Sequence, residues 1–286
     1  MEVRVYHDAR AFLEEYEMIL LEHESISQLV LYSAYQCEKN NIKEDASFGC
    51  VIKSGKPQLF FSNVLPFHMA MYLVPDVEND ASALALADYF GNRHIQIGGI
   101  VGKFHVCREF MEEYRRLTSY QFTPIWGMDL MELRELNEIS LIGGTHRLAL
   151  PEEGKLVAEW MIDFQLEAFT MELDYQAARE RADKLVDEGK VYFYENHESN
   201  VVTMAIATRK IALGTTITYV FTPEEYRGNG YAAANIYCLS KELFEQGNEF
   251  CTLFVDKKNP LSGRAYEKLG YKVIDEIYEY RLVPVF

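Results

Sequence analysis

Residues 219–232 constrain the fold of this chain more than any other segment. They read as a β-strand, then a tight turn containing Gly228 and Gly230, and then a helix whose apolar residues recur at helical spacing. Glycine has no Cβ, so the backbone can turn sharply there and approach a ligand closely. Backbone N–H groups at the start of a helix point into one concavity, where the helix dipole favours negative charge. The segment therefore predicts an anion site suited to a phosphate or pyrophosphate.

Two other interpretations of this loop compete with a dedicated pyrophosphate site. As Gly228-x-Gly230-x-x-Ala233 it is similar to a dinucleotide fingerprint, which is a weak signal by itself. A dinucleotide site needs an acidic residue about 20 positions further on at a strand end. The strand-end candidate in this chain, Asp256, comes too late. The other interpretation is an ordinary strand-to-helix turn that binds nothing.

The loop also contains the pattern Arg-x-x-Gly-x-Ala, formed by Arg227, Gly230 and Ala232. In this form it resembles the acetyl-CoA pyrophosphate loop of the GNAT superfamily of acyl-CoA-dependent N-acyltransferases. The resemblance implies that acetyl-CoA is the co-substrate, and it assigns cofactor contacts to the strand end and the loop. Those residues are Val220, Phe221, Thr222, Arg227, Gly228, Asn229, Gly230, Tyr231 and Ala232.

A second segment lies where that family would place it. After a short apolar run at 250–256, the residues Asn259, Ser262, Tyr266, Gly270 and Tyr271 follow at the spacing Asn-x-x-Ser-x-x-x-Tyr-x-x-x-Gly-aromatic. We expect a helix that begins near Ser262 and ends at Gly270. The alternative for this segment alone is a surface helix that packs one aromatic ring.

The resemblance implies a mechanism for acyl transfer. The strand at 219–222 would separate from the strand at 250–256, and pantetheine would lie in the gap with backbone amides near Val220 on the thioester oxygen. Tyr266 would be the catalytic residue, a neutral phenol that donates a proton or hydrogen bond to the departing sulfur. Asn259 would fix the pantetheine or the adjacent strand end.

The general base is not determined by the sequence. The strand before the loop, residues 215–219, contains no carboxylate. Glu167, Glu172 or a chain of water molecules could take this role, and solvated surface acids are the alternative for both glutamates. His146 and His197 are weaker candidates, since a lone histidine in a strand or turn is more often structural.

Composition narrows the class of protein. The 286 residues, 49% of them apolar, are enough for two domains. The charged first residues give no sign of a signal peptide, and the longest apolar stretch, 59–74, is interrupted by polar residues and proline, so we expect no membrane span. The five scattered cysteines favour a reducing compartment, the cytoplasm.

Charge and spacing exclude several function classes. The net charge of −16 is shared by both halves, and neither half has the basic stripe that nucleic acid requires. The acidity favours a cationic amine as acceptor or serves solubility. No set of His, Cys or carboxylate residues has convincing metal-ligand spacing, and no Ser-His-Asp order suggests a hydrolase.

The order of predicted elements indicates a duplicated fold. Each half has a strand, amphipathic helix and a hairpin, and the separation of Arg4 from Gly55 equals that of Arg147 from Glu198. We therefore predict a mixed α/β (α+β) fold with two GNAT-like domains in tandem. Residues 1–140 would be a degenerate copy without a cofactor loop, and residues 141–286 the acetyltransferase copy.

The two copies diverge at the loop. In the first half the corresponding segment, 74–80, has no glycine and carries three carboxylates, which would repel pyrophosphate. The next parallel strand is predicted at 95–99, and the glycines at 98–102 are interpreted as a strand-end turn. We predict that residues 1–140 bind no CoA and instead support the other domain.

Two rival functions from other classes are compatible with the sequence. One is a non-catalytic acetyl-CoA sensor, which would keep the loop but would not need Tyr266. The other is transfer of a different acyl or aminoacyl group. The acceptor, the acyl chain preference and the oligomeric state are not determined by the sequence.

Overall fold

The computed structural model describes residues 1–75, 81–169 and 171–285, without the side chains of Pro260 and Leu261. It forms two compact units, residues 1–130 with 274–286, and residues 131–273. The first series of elements is β1 (Glu2–Tyr6), α1 (Ala9–Leu21), α2 (Glu24–Lys39), β2 (Ala46–Lys53), β3 (Lys56–Val64), β4 (Met69–Leu73), α3 (Ser82–Asn92), β5 (Gly99–Gly102), α4 (Phe104–Leu117) and β6 (Tyr120–Leu133). The second is β7 (Thr145–Leu148), α5 (Gly154–Phe169), α6 (Tyr175–Asp187), β8 (Val191–Glu195), β9 (Val201–Lys210), β10 (Gly214–Phe221), α7 (Tyr231–Glu245), β11 (Phe250–Asp256), α8 (Pro260–Leu269) and β12 (Lys272–Pro284).

The two series have the same order of helices and strands, and the register of the first strand pair is the same in both. β1 pairs Arg4 with Cys50 of β2, and β7 pairs Arg147 with Phe193 of β8. Both residues of the second pair lie 143 positions after those of the first (147 less 4, and 193 less 50). The predicted mixed α/β fold and its tandem arrangement are confirmed at the level of element order.

The sheet of each unit contains one parallel pair next to the hairpin strands. The first unit has the strand order β1-β2-β3-β4-β5-β12-β6, with β4 and β5 parallel. The second has β7-β8-β9-β10-β11, with β10 and β11 parallel. Parallel neighbours need a crossover, which α3 and α7 supply.

The C-terminal strand belongs to the first unit. Tyr278 to Arg281 of β12 pair antiparallel with Gly102 to Gly99 of β5. In turn Met131 and Leu133, at the end of β6, are buried in the core of the second unit. The compact units therefore have other bounds than the predicted domains 1–140 and 141–286, because pairing between distant segments decides them. The roles predicted for the two domains stay predictions.

The helices bury one apolar face each. In the first unit α3 and α4 pack on β2 to β5 around Phe61, Phe90 and Phe110. In the second unit α7 and α8 cover one sheet face with Ile236, Leu239 and Leu269, and α5 and α6 cover the other. Asp8 caps α1 by accepting a hydrogen bond from the N–H of Arg10.

Three expectations about local structure need correction or fall outside the description. The predicted parallel strand exists, but its bounds 95–99 are wrong: it is β5 (Gly99–Gly102), which pairs parallel with β4 and antiparallel with the remote β12. The glycines at 98–102 are therefore not a strand-end turn. The predicted start of α8 at Ser262 is also wrong, since Asn259 caps the helix and Pro260 is its first residue. The acidic residues 76–80 lie outside the described residues.

Candidate functional site

The strand that precedes the glycine loop is bulged. Tyr219 has φ of 49°, and the register between β10 and β9 shifts between Thr218 and Phe221. Before the bulge, Ile217 faces the core beneath α7; after it, Tyr219 and Phe221 face the core beneath α5 and α6. In a regular strand these alternate residues would share one face. The bulge therefore exchanges the sheet faces on which alternate side chains of β10 lie, between Ile217 and Tyr219.

β10 and β11 separate after the first half of β10. Their parallel pairs run from Gly214 with Phe250 to Ile217 with Leu253, although β10 continues to Phe221 and β11 to Asp256. A gap between the ends of the two strands follows, next to the bulge. This is the arrangement that the family resemblance implies for the pantetheine position.

The loop after β10 presents backbone N–H groups at the start of α7. Gly228 and Gly230 have φ of 80° and 87°, and a Cβ built on either would have no heavy atom within 4 Å. The positive φ, rather than crowding, therefore requires glycine here. The first intrahelical bond runs from the Ala234 N–H to the Gly230 carbonyl, which leaves the N–H groups of the preceding three residues without an intrahelical acceptor.

Side chains of the loop hold its shape. Asn229 donates from Nδ2 to the carbonyls of Tyr226 (3.1 Å) and Arg227 (3.3 Å). Arg227 donates from Nε to the Thr222 carbonyl (2.8 Å) and from Nη2 to Glu167 Oε2 (2.6 Å). Tyr231, the first residue of α7, is buried beside Tyr194, whereas Ala232 is half-buried. Open space beside two glycines, helix N–H groups and one cation fit a diphosphate.

Tyr266 lies in the core between α8 and β11. Its ring is 8% exposed and packs near Tyr271, with ring centroids 6.0 Å apart. Its hydroxyl forms no hydrogen bond with the described part of the chain, and burial raises its pKa. The phenol is therefore neutral at pH 7 and keeps its proton for donation. Tyr271, by contrast, has its hydroxyl 2.9 Å from Ser240 Oγ.

Asn259 is a helix cap in this structure. Its Oδ1 accepts a hydrogen bond from the Ser262 N–H at 3.4 Å, and its own N–H donates to the Asp256 carbonyl. The residue is exposed at the end of β11. The capping role explains its position without a ligand, and its contact with pantetheine stays a prediction.

A cleft of about 450 Å³ lies between α5 and the start of the loop. Its lining combines aromatic rings with carboxylates on both walls: Leu156, Trp160, Asp163, Glu167, Phe221, Pro223, Glu224, Glu225 and Tyr226. Within the described ranges Asp163, Glu224 and Glu225 have no cationic partner. Burial and the neighbouring carboxylates of Glu167 and Glu159 raise the pKa of Asp163. An anion would be repelled from this cleft, and a cation would be attracted.

The structure separates the four candidates for the general base. Glu167 is bound to Arg227, and Glu172 is exposed in the segment that follows α5. His146 Nδ1 lies 2.8 Å from Asn235 Oδ1, and burial lowers the pKa of this histidine. His197 has 80% of its side chain exposed in the β8–β9 turn.

Among residues 1–75, 81–169 and 171–285, no group of three or more His, Cys, Asp or Glu is placed to hold a metal ion.

Sequence reasoning missed the bulge and the cleft. An aromatic residue rarely adopts positive φ, so nothing in the strand pattern marks Tyr219. Its conformation depends on packing: Gln165 of α5 donates from Nε2 to the Tyr219 hydroxyl (3.1 Å), and Phe164 lies against the ring. A stripe of Leu156, Trp160, Asp163 and Glu167 on α5 is the sequence sign of the cleft.

In the described part of the chain no helix is both long and apolar enough to cross a membrane.

Comparison with known proteins gives one family-model match and several solved structures of similar fold. Residues 195–281, which include the loop and Tyr266, match the family model described as FR47-like protein. No curated protein matches the sequence significantly. A GNAT-family acetyltransferase from Colwellia psychrerythraea is 11% identical, with a TM-score of 0.56 and coverage of 99% of this chain and 100% of that one. A GCN5-related N-acetyltransferase from Sphaerobacter thermophilus is 13% identical (TM-score 0.60, coverage 99% and 95%), and a Drosophila protein is 10% identical (TM-score 0.64, coverage 99% of both). At these identities the likeness concerns the fold, and over 99% of its length the chain is similar in fold to solved GNAT-family structures.

Proposed function

We propose that this protein transfers an acetyl group from acetyl-CoA to a primary amine by direct attack on the thioester. The observation that carries the proposal is the two-glycine turn at the start of α7, directly after the bulged end of β10 and beside the gap between β10 and β11. A diphosphate fits the first feature and an extended pantetheine the second. The fold supports acyl transfer in general, and the acetyl and amine specificities are part of the proposal.

The chain's residues divide the work as follows. Arg227 and the N–H groups of the loop bind the CoA diphosphate, and backbone amides near Val220 orient the thioester oxygen. Acetyl-CoA supplies the activated carbonyl. Tyr266 gives its proton to the departing sulfur, and its buried position keeps the phenol protonated until then.

The cleft supports a positively charged acceptor. Asp163, Glu224 and Glu225 face it from two sides, and the rings of Trp160 and Phe221 form part of its lining. Carboxylates and aromatic faces both attract ammonium groups. An alkylamine fits this lining, and a carboxylate-bearing acceptor does not. A water chain to the amine is the base most compatible with the site, because Glu167 is engaged with Arg227.

The proposal is tested by titrating acetyl-CoA into the full chain and then screening amines for release of free CoA thiol. We expect one site per chain and thiol release with cationic amines. Absence of acetyl-CoA binding by the folded protein would reject the proposal. Binding without thiol release for any amine would instead favour the non-catalytic sensor, which keeps the loop without the chemistry.

A further inference from the structure

We propose that Glu167 is a positioning residue, which holds the guanidinium of Arg227 so that its free edge faces the CoA diphosphate. This inference rests on the proposed function, because it takes the loop as the diphosphate site. It gives Glu167 a role different from the general base that the sequence allowed. The residue would act through Arg227 and would not touch the reacting atoms.

The hydrogen bonds of Arg227 carry the argument. Nε bonds the Thr222 carbonyl at 2.8 Å and Nη2 bonds Glu167 Oε2 at 2.6 Å. A guanidinium is planar and has five donors in a fixed fork, so two bonds to Nε and Nη2 fix the plane. Nη1 forms no hydrogen bond with the residues that the structure describes. The edge that contains Nη1 can therefore bind two oxygens of one phosphate.

Glu167 is suited to this task by its helix. It lies in the last turn of α5, whose residues Val157, Trp160 and Met161 are buried in the core beneath the sheet. The anchored helix gives the carboxylate a fixed position relative to the loop. A negative charge near a helix C-terminus is unfavourable unless a cation compensates it, and Arg227 is that cation. The Phe221 ring, 5.9 Å from the guanidinium carbon, covers one face of the group.

The energetic effect of such a bond is modest. Arg227 and Glu167 have 44% and 52% of their side chains exposed, and exposed pairs of this kind contribute little to stability. Their removal should leave the fold intact. What is lost is the orientation of Arg227 before the ligand arrives, so the ordering cost is transferred to binding.

The experiment compares acetyl-CoA affinity by calorimetry in five full-length variants: Glu167→Ala, Glu167→Gln, Arg227→Ala, the double variant Arg227→Ala/Glu167→Ala, and Glu159→Ala. Glu159 is the matched control, since it lies on the same helix and pairs with Lys155 instead. We expect Glu167→Ala to weaken binding about three- to fivefold, in keeping with an exposed ion pair. Glu167→Gln should stay within about twofold of wild type, because an amide oxygen still accepts from Nη2.

The double variant is the decisive measurement. If Glu167 acts through Arg227, the double variant should bind acetyl-CoA as weakly as Arg227→Ala alone. The loss in Glu167→Ala should appear in the KM for acetyl-CoA, with the pH profile of kcat unchanged. Glu159→Ala should bind like wild type.

Several results would overturn the inference. Wild-type affinity in Glu167→Ala would do so, as would additive losses in the double variant. A large loss of kcat in Glu167→Gln, together with loss of the acidic limb of its pH profile, would also do so, because it would make Glu167 the base. Failure of the proposed function would look different: wild-type protein would not bind acetyl-CoA. A third outcome is that wild type binds acetyl-CoA, Gly230→Glu does not bind it, and Arg227→Ala binds it normally. That outcome would support the loop as the diphosphate site and reject the inference about Glu167.

Discussion

The two units of this protein have the same order of elements, and their described residues differ where the crossover helix after the parallel strand begins. In both units a strand pairs parallel with the next strand, and a crossover helix connects the two. The paired residues include Met69 with Ile100 in β4 and β5, and Gly214 with Phe250 in β10 and β11. In the second unit the strand ends in a bulge and α7 begins at a glycine with positive φ. In the first, α3 begins after Ala81, whose φ is −78°.

The order of elements is thus duplicated, whereas the proposed anion site would depend on a few backbone positions of one unit. The shared register and element order depend on burial, which many apolar residues satisfy. An anion site needs N–H groups directed at one point, and that depends on positions such as Gly228 and Gly230.

The first test asks whether the second unit can fold from its own series of elements. A fragment of residues 141–286 should lose cooperative unfolding, because it lacks Met131 and Leu133, which are buried in the core of the second unit. Loss of each such side chain costs about 2–5 kcal/mol, a large share of the roughly 5–15 kcal/mol that stabilises a domain. A fragment of residues 131–286 is the matched control, measured by urea denaturation. Equal stability of the two fragments would show that these side chains do not matter.

The second test removes the feature that distinguishes the units. Gly230→Glu should abolish acetyl-CoA binding, on the order of 100-fold or more in Kd, since a charged side chain would enter the site and strain the backbone. Gly247→Glu is the control, because Gly247 also has positive φ, 90°, but lies at the other end of α7. Calorimetry on folded protein measures both. Unchanged affinity in Gly230→Glu, or a second site that titrates in wild type, would break the comparison.

The third test separates binding from chemistry in the second unit. Tyr266→Phe should lower kcat about 10²-fold with acetyl-CoA affinity nearly unchanged, because the hydroxyl has no bond in the described structure to lose. Tyr271→Phe should do the opposite: it breaks the bond to Ser240 and costs about 1 kcal/mol of unfolding free energy, with turnover retained. Turnover of Tyr266→Phe equal to wild type would mean that the ring only packs.

The fourth test concerns a half-buried histidine, His146, whose place in the other unit is taken by an apolar residue. By the offset of 143, His146 takes the place of Val3, which packs in the apolar core of the first unit. Burial is the largest cause that lowers the pKa of His146, so the folded state resists its protonation. The unfolded state therefore binds this proton first, and the unfolding free energy should fall as pH drops below 6.5. In His146→Gln that part of the pH dependence should vanish, whereas His197→Gln, on an exposed turn, should behave like wild type.

Much of the local structure follows from patterns within short segments. Asp8 caps α1, the turn at Ser54 and Gly55 joins β2 and β3, and Gly270 ends α8 with φ of 107°. Each depends on the conformational preferences of one or two residues. The start of α8 differs from the prediction because Asn259 and Ser262 are both capping residue types, and only the hydrogen bond from the Ser262 N–H to Asn259 Oδ1 shows which one caps.

The candidate site depends partly on such patterns and partly on packing. The glycines of the loop and Tyr266 are recognisable along the chain. The partner of Arg227 is not, since Glu167 lies 60 positions earlier and is one of 44 acidic residues. The cleft likewise forms only when α5 lies against the end of β10, because only then do Asp163 and Glu224 line the same cavity.

By itself, then, the sequence determined the mixed α/β class, the duplicated order of elements and the glycine turn, because hydrophobic period and backbone preference are properties of neighbouring residues. Tertiary structure alone decided that residues 274–286 belong to the first unit, that Tyr219 adopts positive φ and that Glu167 bonds Arg227. Each of these outcomes requires contact with a segment far along the chain: β12 with β5, Gln165 with Tyr219, and Glu167 with Arg227. That condition couples residues far apart in sequence, so no local pattern can express it.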